Sequence, residues 1–314
     1  MATDTMSLMT ITTFSLGGDL TINRLGFGAM RLASGTFDGP ARAPETGVAV
    51  LRRAVELGVN HIDTAGFYRR GSVQANELIR TALAPYPDDL VIATKVGPRL
   101  GPQGVPTHQA TPDQLRELVE ADLQALGLDR LDLVYLRVGG MSPPGGESIA
   151  ERFAVLADLR AQGLIRHLGV SNMDAAQLAE ARAIAPIAAV QNRYTADMAL
   201  LAECEDSGIA YVPYFPLGGG ISPVGVAASQ EGATAGTARS GSSAGGGGSA
   251  GSERLGKVAA RLGATTAQVA IALLLATSPS VLAIPGTGSL DHLEENLAAG
   301  DLSLSEQDLS DLRG

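Results

Sequence analysis

The chain has 314 residues and is 45% apolar, which is enough to bury a large core and argues against global disorder. Its formal charge of −10 disfavours nucleic acid and anionic lipid, so the expected partner is a small molecule. A single cysteine, Cys204, excludes an intramolecular disulfide, and the spacing of the four histidines predicts no metal site. The N-terminus lacks the features of a secretory signal and no run of 18 apolar residues occurs, so we expect a cytoplasmic protein without a membrane partner.

The predicted elements begin with a β-hairpin over residues 10–23, because Gly17 and Gly18 suit the positive φ values of a tight turn. From Leu25 onwards, apolar β-prone runs alternate with helical segments. The alternation predicts eight strand-helix units, with parallel strands joined by helices. In chain order these are LGFGAM and 46–57, NHID and 72–83, LVIATKV and 111–126, LDLVYLR and 148–162, IRHLGV and 174–184, AAVQNR and 196–206, IAYVPY and 253–276, and VLAIP and 289–298.

The strands favour a closed barrel over an open sheet. Runs such as LVIAT are apolar throughout, which is typical of parallel strands covered on both faces. A doubly wound sheet is the alternative, but the turn after LGFGAM lacks the G-x-G-x-x-G loop of a dinucleotide-binding fold. We therefore predict one domain over residues 1–314, a (β/α)8 TIM barrel with an N-terminal β-hairpin.

Residues 218–252 interrupt the pattern, since glycine, serine and alanine dominate and no aromatic residue occurs. This composition predicts a flexible loop. It leaves the C-terminal end of the seventh strand, where barrel active sites lie, so it is either a lid or an insert or engineered linker without a role in catalysis.

Three residues at predicted strand ends could donate a proton together. Asp63 ends the second strand, Tyr68 follows it in the loop, and Lys95 ends the third strand as one of only two lysines in the chain. An ammonium held by a carboxylate is expected to lower the pKa of a nearby tyrosine and so to ease proton donation. Each residue taken alone could instead have a structural role, as a helix cap, an ion-pair partner or a rim residue.

The order and spacing of six motifs resemble those of the aldo-keto reductases. The motifs are LGFGAM, HIDTAGFY, ATK, GVSN, QNRY and IPGTGSLDHLEEN. The resemblance spans the chain apart from 218–252. It implies an NADP(H)-dependent oxidoreductase that transfers hydride between nicotinamide and a carbonyl or alcohol of a small molecule, with Tyr68 as the proton donor.

The resemblance also implies which residues bind the cofactor. Ser171, Asn172 and Gln191 would hold the nicotinamide carboxamide, and Tyr214 would stack on the ring. Without the resemblance, a helix cap would be the favoured explanation for Ser171 and Asn172, and barrel filling the favoured one for Gln191 and Tyr214. In the last motif, backbone amides would approach a phosphate near a helix N-terminus. The remaining implied cofactor contacts are Met30, Asp63, Phe215, Pro216, Leu217, Pro285, Gly286, Thr287, Gly288, His292, Glu295 and Asn296.

The choice between NADP and NAD rests on few charges. Positions that in the family often carry a basic residue for the 2′-phosphate are Gly286 and His292 here. NADPH is the predicted cofactor, and NADH remains an alternative.

The fourth strand departs from the family pattern. Where the family usually has a histidine that donates to the substrate carbonyl, LDLVYLR ends in Arg137. A guanidinium donates hydrogen bonds but keeps its proton at ordinary pH. Arg137 could polarise a carbonyl, bind a substrate carboxylate, or form a structural ion pair with Asp63.

This departure leaves two further functions open beside the reductase, namely a cofactor-binding regulatory or assembly subunit and a lyase or isomerase on the same barrel. The sequence identifies neither the substrate nor the oligomeric state. The predicted rim of the substrate pocket comprises Met30, Arg31, Phe67, Arg99 and the 218–252 loop.

Overall fold

The computed structural model describes residues 13–35, 39–101, 106–139, 146–193, 198–214 and 247–313. The predicted hairpin is present as β1 (Thr13–Leu16) and β2 (Leu20–Asn23), which pair antiparallel. Gly17 and Gly18 between them have φ values of 62° and 88°, in the left-handed region that glycine adopts without steric cost.

Strands and helices then alternate as predicted. The strands are β3 (Phe27–Gly28), β4 (His61–Asp63), β5 (Arg69–Arg70), β6 (Val73–Gln74), β7 (Val91–Val96), β8 (Pro98–Leu100), β9 (Pro106–Gln109), β10 (Leu131–Arg137), β11 (Ile165–Ser171), β12 (Ile187–Gln191) and β13 (Ala210–Tyr211). The helices are α1 (Met30–Ala33), α2 (Pro44–Glu56), α3 (Ala75–Leu83), α4 (Pro112–Leu126), α5 (Ala150–Ala161), α6 (Ala175–Ile184), α7 (Met198–Asp206), α8 (Gly247–Leu262), α9 (Thr266–Ala276), α10 (Leu290–Ala298) and α11 (Glu306–Arg313), with a 3-10 turn at Ala299–Asp301.

The parallel strands form a closed ring. Seven of them are ordered β3-β4-β7-β10-β11-β12-β13, and residues 281–283 fill the gap between the two ends. On one side the Gly26 amide donates to the Ala283 carbonyl at 2.8 Å, and on the other the Leu282 amide donates to the Tyr211 carbonyl at 2.9 Å. The eighth predicted strand, VLAIP, therefore closes the barrel, and the predicted fold class is confirmed.

Side chains alternate between the barrel interior and the layer beneath the helices. In β7, Val91 and Ala93 point into the interior cluster, whereas Ile92 and Val96 pack under the helices. Because the period is two residues, Lys95 lies on the interior side, at the mouth. The hairpin covers the opposite end of the barrel, since Leu16 and Ile22 belong to the interior cluster.

Strand register brings the predicted polar residues to the same end of the barrel. Asp63 lies opposite Ala93, two residues before Lys95, and Arg137 lies opposite Ser171, which in turn lies opposite Gln191. This is the C-terminal end of the strands, where active sites of such barrels are built.

The structure differs from the predicted elements in the loops. Two short hairpins were not predicted: β8-β9 lies in a segment predicted as a connection, and β5-β6 overlaps the start of the helix predicted over 72–83, which begins at Ala75. The predicted flexible loop 218–252 is wrong in its last part, because α8 begins at residue 247; residues 218–246 lie outside the described residues. The glycine-rich composition around residue 247 does not predict a helix. However, Leu255, Val258 and Ala259 are buried against α9 and α11, and this packing stabilises α8.

Within the described ranges, no single helix is long and apolar enough to cross a membrane. Residues 251–262 and 266–276 reach that length and composition only together, and they are bent by 98° at their junction.

Candidate active site

A buried ion pair lies at the mouth of the barrel. Lys95 Nζ donates to Asp63 Oδ1 at 2.5 Å and to the Thr64 carbonyl at 2.9 Å, and both charged side chains are at most 4% exposed. Gln191 Nε2 donates to the other carboxylate oxygen, Asp63 Oδ2, at 2.7 Å. The two predicted residues are therefore in contact, and each oxygen of the buried carboxylate has a donor.

Lys95 carries its charge at ordinary pH. Burial alone would lower the pKa of Lys95, but the negative charge of Asp63 and the Tyr68 phenol outweigh burial and raise this pKa above its usual value. A fixed positive charge thus lies beneath the barrel mouth.

Tyr68 lies in the loop after β4, next to this charge. The Lys95 ammonium is 4.8 Å from the centroid of the Tyr68 ring, and the Phe67 ring packs edge-on against it with centroids 5.1 Å apart. The predicted lowering of the tyrosine pKa is wrong. Burial raises the pKa of Tyr68 above its ordinary value, and the positive charge of Lys95 offsets burial only in part. The Tyr68 hydroxyl therefore keeps its proton at neutral pH.

Arg137 faces the mouth from the end of β10. Its Nη1 donates to Ser171 Oγ at 3.1 Å, and its guanidinium carbon lies 5.0 Å from the centroid of the Tyr214 ring. The oxygens of Asp63 are held by Lys95 and Gln191. Arg137 thus stands among the residues predicted to hold the nicotinamide.

The predicted nicotinamide residues form one cluster. The Tyr214 hydroxyl donates to Asn172 Oδ1 at 3.0 Å, and the Asn172 backbone amide donates to the Gln191 carbonyl, also at 3.0 Å. Asn172 has φ 59°, a left-handed conformation that asparagine tolerates better than most residues. Phe215, Pro216 and Leu217 lie outside the described residues.

The loop before α10 approaches the end of β3 too closely for side chains. A Cβ at Gly286 would lie 2.3 Å from the Gly28 carbonyl oxygen, and a Cβ at Gly28 would lie 2.6 Å from the Ile284 carbonyl oxygen. The buried Thr287 accepts from the Ser289 amide at 3.1 Å, and Ser289 caps α10. The loop is therefore held rigidly against the barrel, next to a helix N-terminus.

Arg42, which the sequence did not single out, faces this loop. Its Nε and Cζ atoms would lie only 2.6 Å from a Cβ at Gly288, so the guanidinium packs on the bare backbone. Arg42 Nε is buried and has no hydrogen-bond partner among the described residues. Burial, together with the like charge of Arg42, lowers the pKa of the neighbouring Arg31. A buried donor without a partner, a glycine backbone and a second arginine fit the phosphate of a dinucleotide.

The remaining predicted residues are spread over this end of the barrel. Met30 begins α1 and is half-buried, while Pro285 lies in the loop before α10. His292 is exposed in the first turn of α10, and Asn296 is buried. Glu295 accepts from the Thr265 hydroxyl at 2.5 Å, so it also ties α10 to the start of α9.

Comparison with known proteins identifies the family. The model of the aldo/keto reductase family matches residues 24–314, which is nearly the whole chain. The chain belongs to the aldo/keto reductase family. The resemblance predicted from the six motifs is thereby confirmed, and so is the prediction of an oxidoreductase.

Several members of the aldo/keto reductase family resemble the chain over most of their length. It is 45% identical over 312 residues to pyridoxine 4-dehydrogenase of Escherichia coli strain K12, covering 98% of this chain and 99% of that protein. It is 31% identical to probable aldo-keto reductase 1 of Glycine max, covering 93% and 84%. Among solved structures, an aldo-keto reductase of Klebsiella pneumoniae in complex with NADPH superposes with a TM-score of 0.69 at 25% identity, covering 96% and 93%.

Proposed function

We propose that the protein is an NADP(H)-dependent oxidoreductase that interconverts small aldehydes and alcohols at the barrel mouth. The observation that carries this proposal is the buried Lys95–Asp63 pair beside the Tyr68 ring. When bound, the nicotinamide supplies or accepts the hydride. The side chains of this protein bind and orient the substrate and move the proton.

Tyr68 donates the proton to the carbonyl oxygen in the reductive direction. The raised pKa of Tyr68 keeps the proton in place until a substrate oxygen accepts it. The phenolate left behind faces the Lys95 ammonium, whose charge is fixed by Asp63. Because Lys95 and Asp63 are buried, this attraction stabilises the phenolate more than it would in solution.

The substrates inferred are aromatic aldehydes of the pyridoxal type and the corresponding alcohols. The support is the 45% identity to a pyridoxine 4-dehydrogenase over nearly the whole of both chains. Pyridoxal carries an acidic ring hydroxyl beside its aldehyde. A guanidinium at Arg137 is suited to that oxygen because its charge is permanent and its donors form a planar fork.

NADPH is the proposed cofactor in preference to NADH, with Arg42 as the main cation for the 2′-phosphate. Gly286 offers no charge, but the guanidinium of Arg42 reaches the same loop from a distant segment. The adenosine end of the dinucleotide would lie towards α10 and Asn296, and its nicotinamide end towards Ser171 and Tyr214. The cytoplasmic location remains a prediction from the sequence.

The experiment is a panel of pyridoxal, a short aliphatic aldehyde, a ketone and a keto acid, with NADPH oxidation as the readout. We expect turnover of pyridoxal to exceed that of the others, and product analysis to give one alcohol per NADPH consumed. Product formed without NADPH consumption would instead indicate a lyase or isomerase. Cofactor binding without turnover of any substrate would overturn the reductase proposal.

A further inference from the structure

A second buried carboxylate lies behind the proposed catalytic residues. Asp122, on the inner face of α4, is 4% exposed. Thr94 Oγ1 donates to its Oδ2 at 2.6 Å, and Asn76 Nδ2 donates to its Oδ1 at 2.9 Å. Each carboxylate oxygen thus accepts one hydrogen bond from a neighbouring element, β7 or α3.

These hydrogen bonds lead directly to the proposed proton-donating unit. Asn76 Oδ1 accepts from the Thr64 hydroxyl at 2.7 Å, and the Thr64 carbonyl accepts from Lys95 Nζ at 2.9 Å. On the other side, Thr94 immediately precedes Lys95 in β7. Asp122 therefore holds Thr94, the residue before Lys95, directly, and it holds Thr64, the residue after Asp63, through Asn76.

The turn towards Tyr68 also rests on this carboxylate. Gly66 lies between Asp63 and Tyr68, and a Cβ at Gly66 would lie 2.4 Å from Asp122 Oδ1. No other residue fits there without moving the turn or the carboxylate. The conformation of the segment that carries Tyr68 is thus coupled to the position of Asp122.

We propose that Asp122 is a positioning residue for the catalytic unit. Its ionised form holds Asp63, Tyr68 and Lys95 in their active arrangement, and its protonation loosens that arrangement. The proposal rests on the proposed function, because it assigns a role within that reaction. In the arrangement observed, both oxygens of Asp122 accept hydrogen bonds, as an ionised carboxylate does. A protonated carboxyl must donate from one of them, so the Thr94 hydroxyl or the Asn76 amide must turn.

The protonation change falls in the neutral range. Burial raises the pKa of Asp122 to about 7, against the hydrogen bond from Thr94, the positive charge of Lys95 and the hydrogen bond from Asn76. The surrounding residues named above are uncharged, namely Thr64, Gly66, Asn76 and Thr94. The charge that acts on the Asp122 carboxylate is that of Lys95. The catalytic unit and its support are thus electrostatically linked.

The test is the pH profile of kcat and of KM with pyridoxal and NADPH for the wild type and Asp122→Asn. We expect the wild-type kcat to fall as the pH drops through about 7, while KM changes little. Asp122→Asn cannot ionise, so its kcat should lack this step and stay about 10- to 100-fold below the wild-type value at pH 8, as for a small misplacement of catalytic groups. Asp132→Asn is the matched control, because Asp132 is partly buried and accepts from the Ile92 amide, at the opposite end of β7.

Two further measurements keep the proposal testable if turnover is absent or the variant is unstable. In the folded wild type, the backbone amide resonances of Thr64, Gly66 and Lys95 should shift together with a midpoint near pH 7. In Thr94→Val, which loses a donor to the carboxylate, this midpoint should move to higher pH.

A kcat step that persists unchanged in Asp122→Asn would overturn the proposal, and so would amide resonances that do not respond near neutral pH. Equal losses of NADPH affinity and kcat in Asp122→Asn would reduce Asp122 to a general structural role. If the wild type reduces none of the aldehydes but the amide resonances still shift, the proposed function fails. The coupling of Asp122 to Thr64, Gly66 and Lys95 would then still stand.

Discussion

The Tyr68 hydroxyl is a weak acid held beside a strong positive charge. Tyr68→Phe removes only the proton donor, so turnover of the best aldehyde should fall by about 10²-fold or more, in line with general acid catalysis. The affinity for NADPH, measured by fluorescence titration, should stay nearly constant because the hydroxyl acts in the chemical step alone. If the variant keeps most of its turnover, another group must donate the proton.

Arg137 offers a comparison between a substrate-binding role and a structural one. Arg137→Met should raise KM for pyridoxal or lower kcat by about 10- to 100-fold, since a charge-assisted hydrogen bond is worth roughly 1.5 to 3 kcal/mol. NADPH should still bind, and the melting temperature should change little, because Arg137 contacts Ser171 and Tyr214 at the mouth and not in the core. A marked loss of stability, or full activity on every substrate, would contradict substrate binding by Arg137.

Two loops that are distant in sequence meet at the proposed phosphate site. Arg42 donates to the Gly288 carbonyl at 3.5 Å across a sequence separation of 246 residues. Arg42→Met should therefore weaken NADPH binding by about 10- to 100-fold, the range for a charged hydrogen bond, and leave NADH binding unchanged. Isothermal titration of both cofactors measures this.

A suitable control for Arg42 is Arg52→Met in α2. Arg52 Nε donates to the Ala82 carbonyl at an exposed position, and its charge should have no part in cofactor binding. If Arg42→Met weakens NADH and NADPH equally, Arg42 binds a phosphate common to both and does not select between them.

The sequence predicts which site residues lie together where the order of the strands alone decides it. Asp63 and Lys95 end adjacent parallel strands, so any barrel closure places them side by side. Arg42 and Asp122 were not predictable, because their contacts depend on how a loop and a helix pack on the barrel. The raised pKa of Tyr68 was missed for a related reason, since burial depends on the packing around the ring.

The start of α8 was also not predictable from the sequence, because it depends on packing. Its first residues read as a glycine-rich loop, and only the burial of Leu255 and Val258 against α9 and α11 makes a helix from 247 onwards favourable. Deleting 218–246 should therefore leave the melting temperature nearly unchanged, since lengthening a loop costs only about 0.6 kcal/mol per doubling. Extending the deletion into 247–256 should lower it clearly, because Leu255 would be lost from the core. Equal melting temperatures for the two deletions would show that α8 adds little stability.

Two buried groups make the free energy of unfolding of the protein depend on pH with opposite signs. Burial lowers the pKa of His61 to about 4 from 6.5, and burial raises the pKa of Asp122 to about 7 from 3.8. The contribution of His61 is therefore fully present above pH 6.5 and is lost as the pH falls towards 4. The contribution of Asp122 is fully present below pH 3.8 and is lost as the pH rises through 7.

Between pH 4 and 6.5 the two effects oppose each other, so the wild type should show only a shallow slope in its free energy of unfolding from these groups. Asp122→Asn removes one of them, and its free energy of unfolding relative to the wild type should rise with pH from about 4 to 7 and level off above. The rise amounts to several kcal/mol at most, since each pKa unit corresponds to about 1.36 kcal/mol. Urea denaturation at half-unit pH steps measures the difference, and any constant offset from altered hydrogen bonds cancels in the slope. If the difference in free energy of unfolding does not change from pH 4 to 8, Asp122 is not protonated in the folded protein near neutral pH. Its protonation could then not control the arrangement of Asp63, Tyr68 and Lys95.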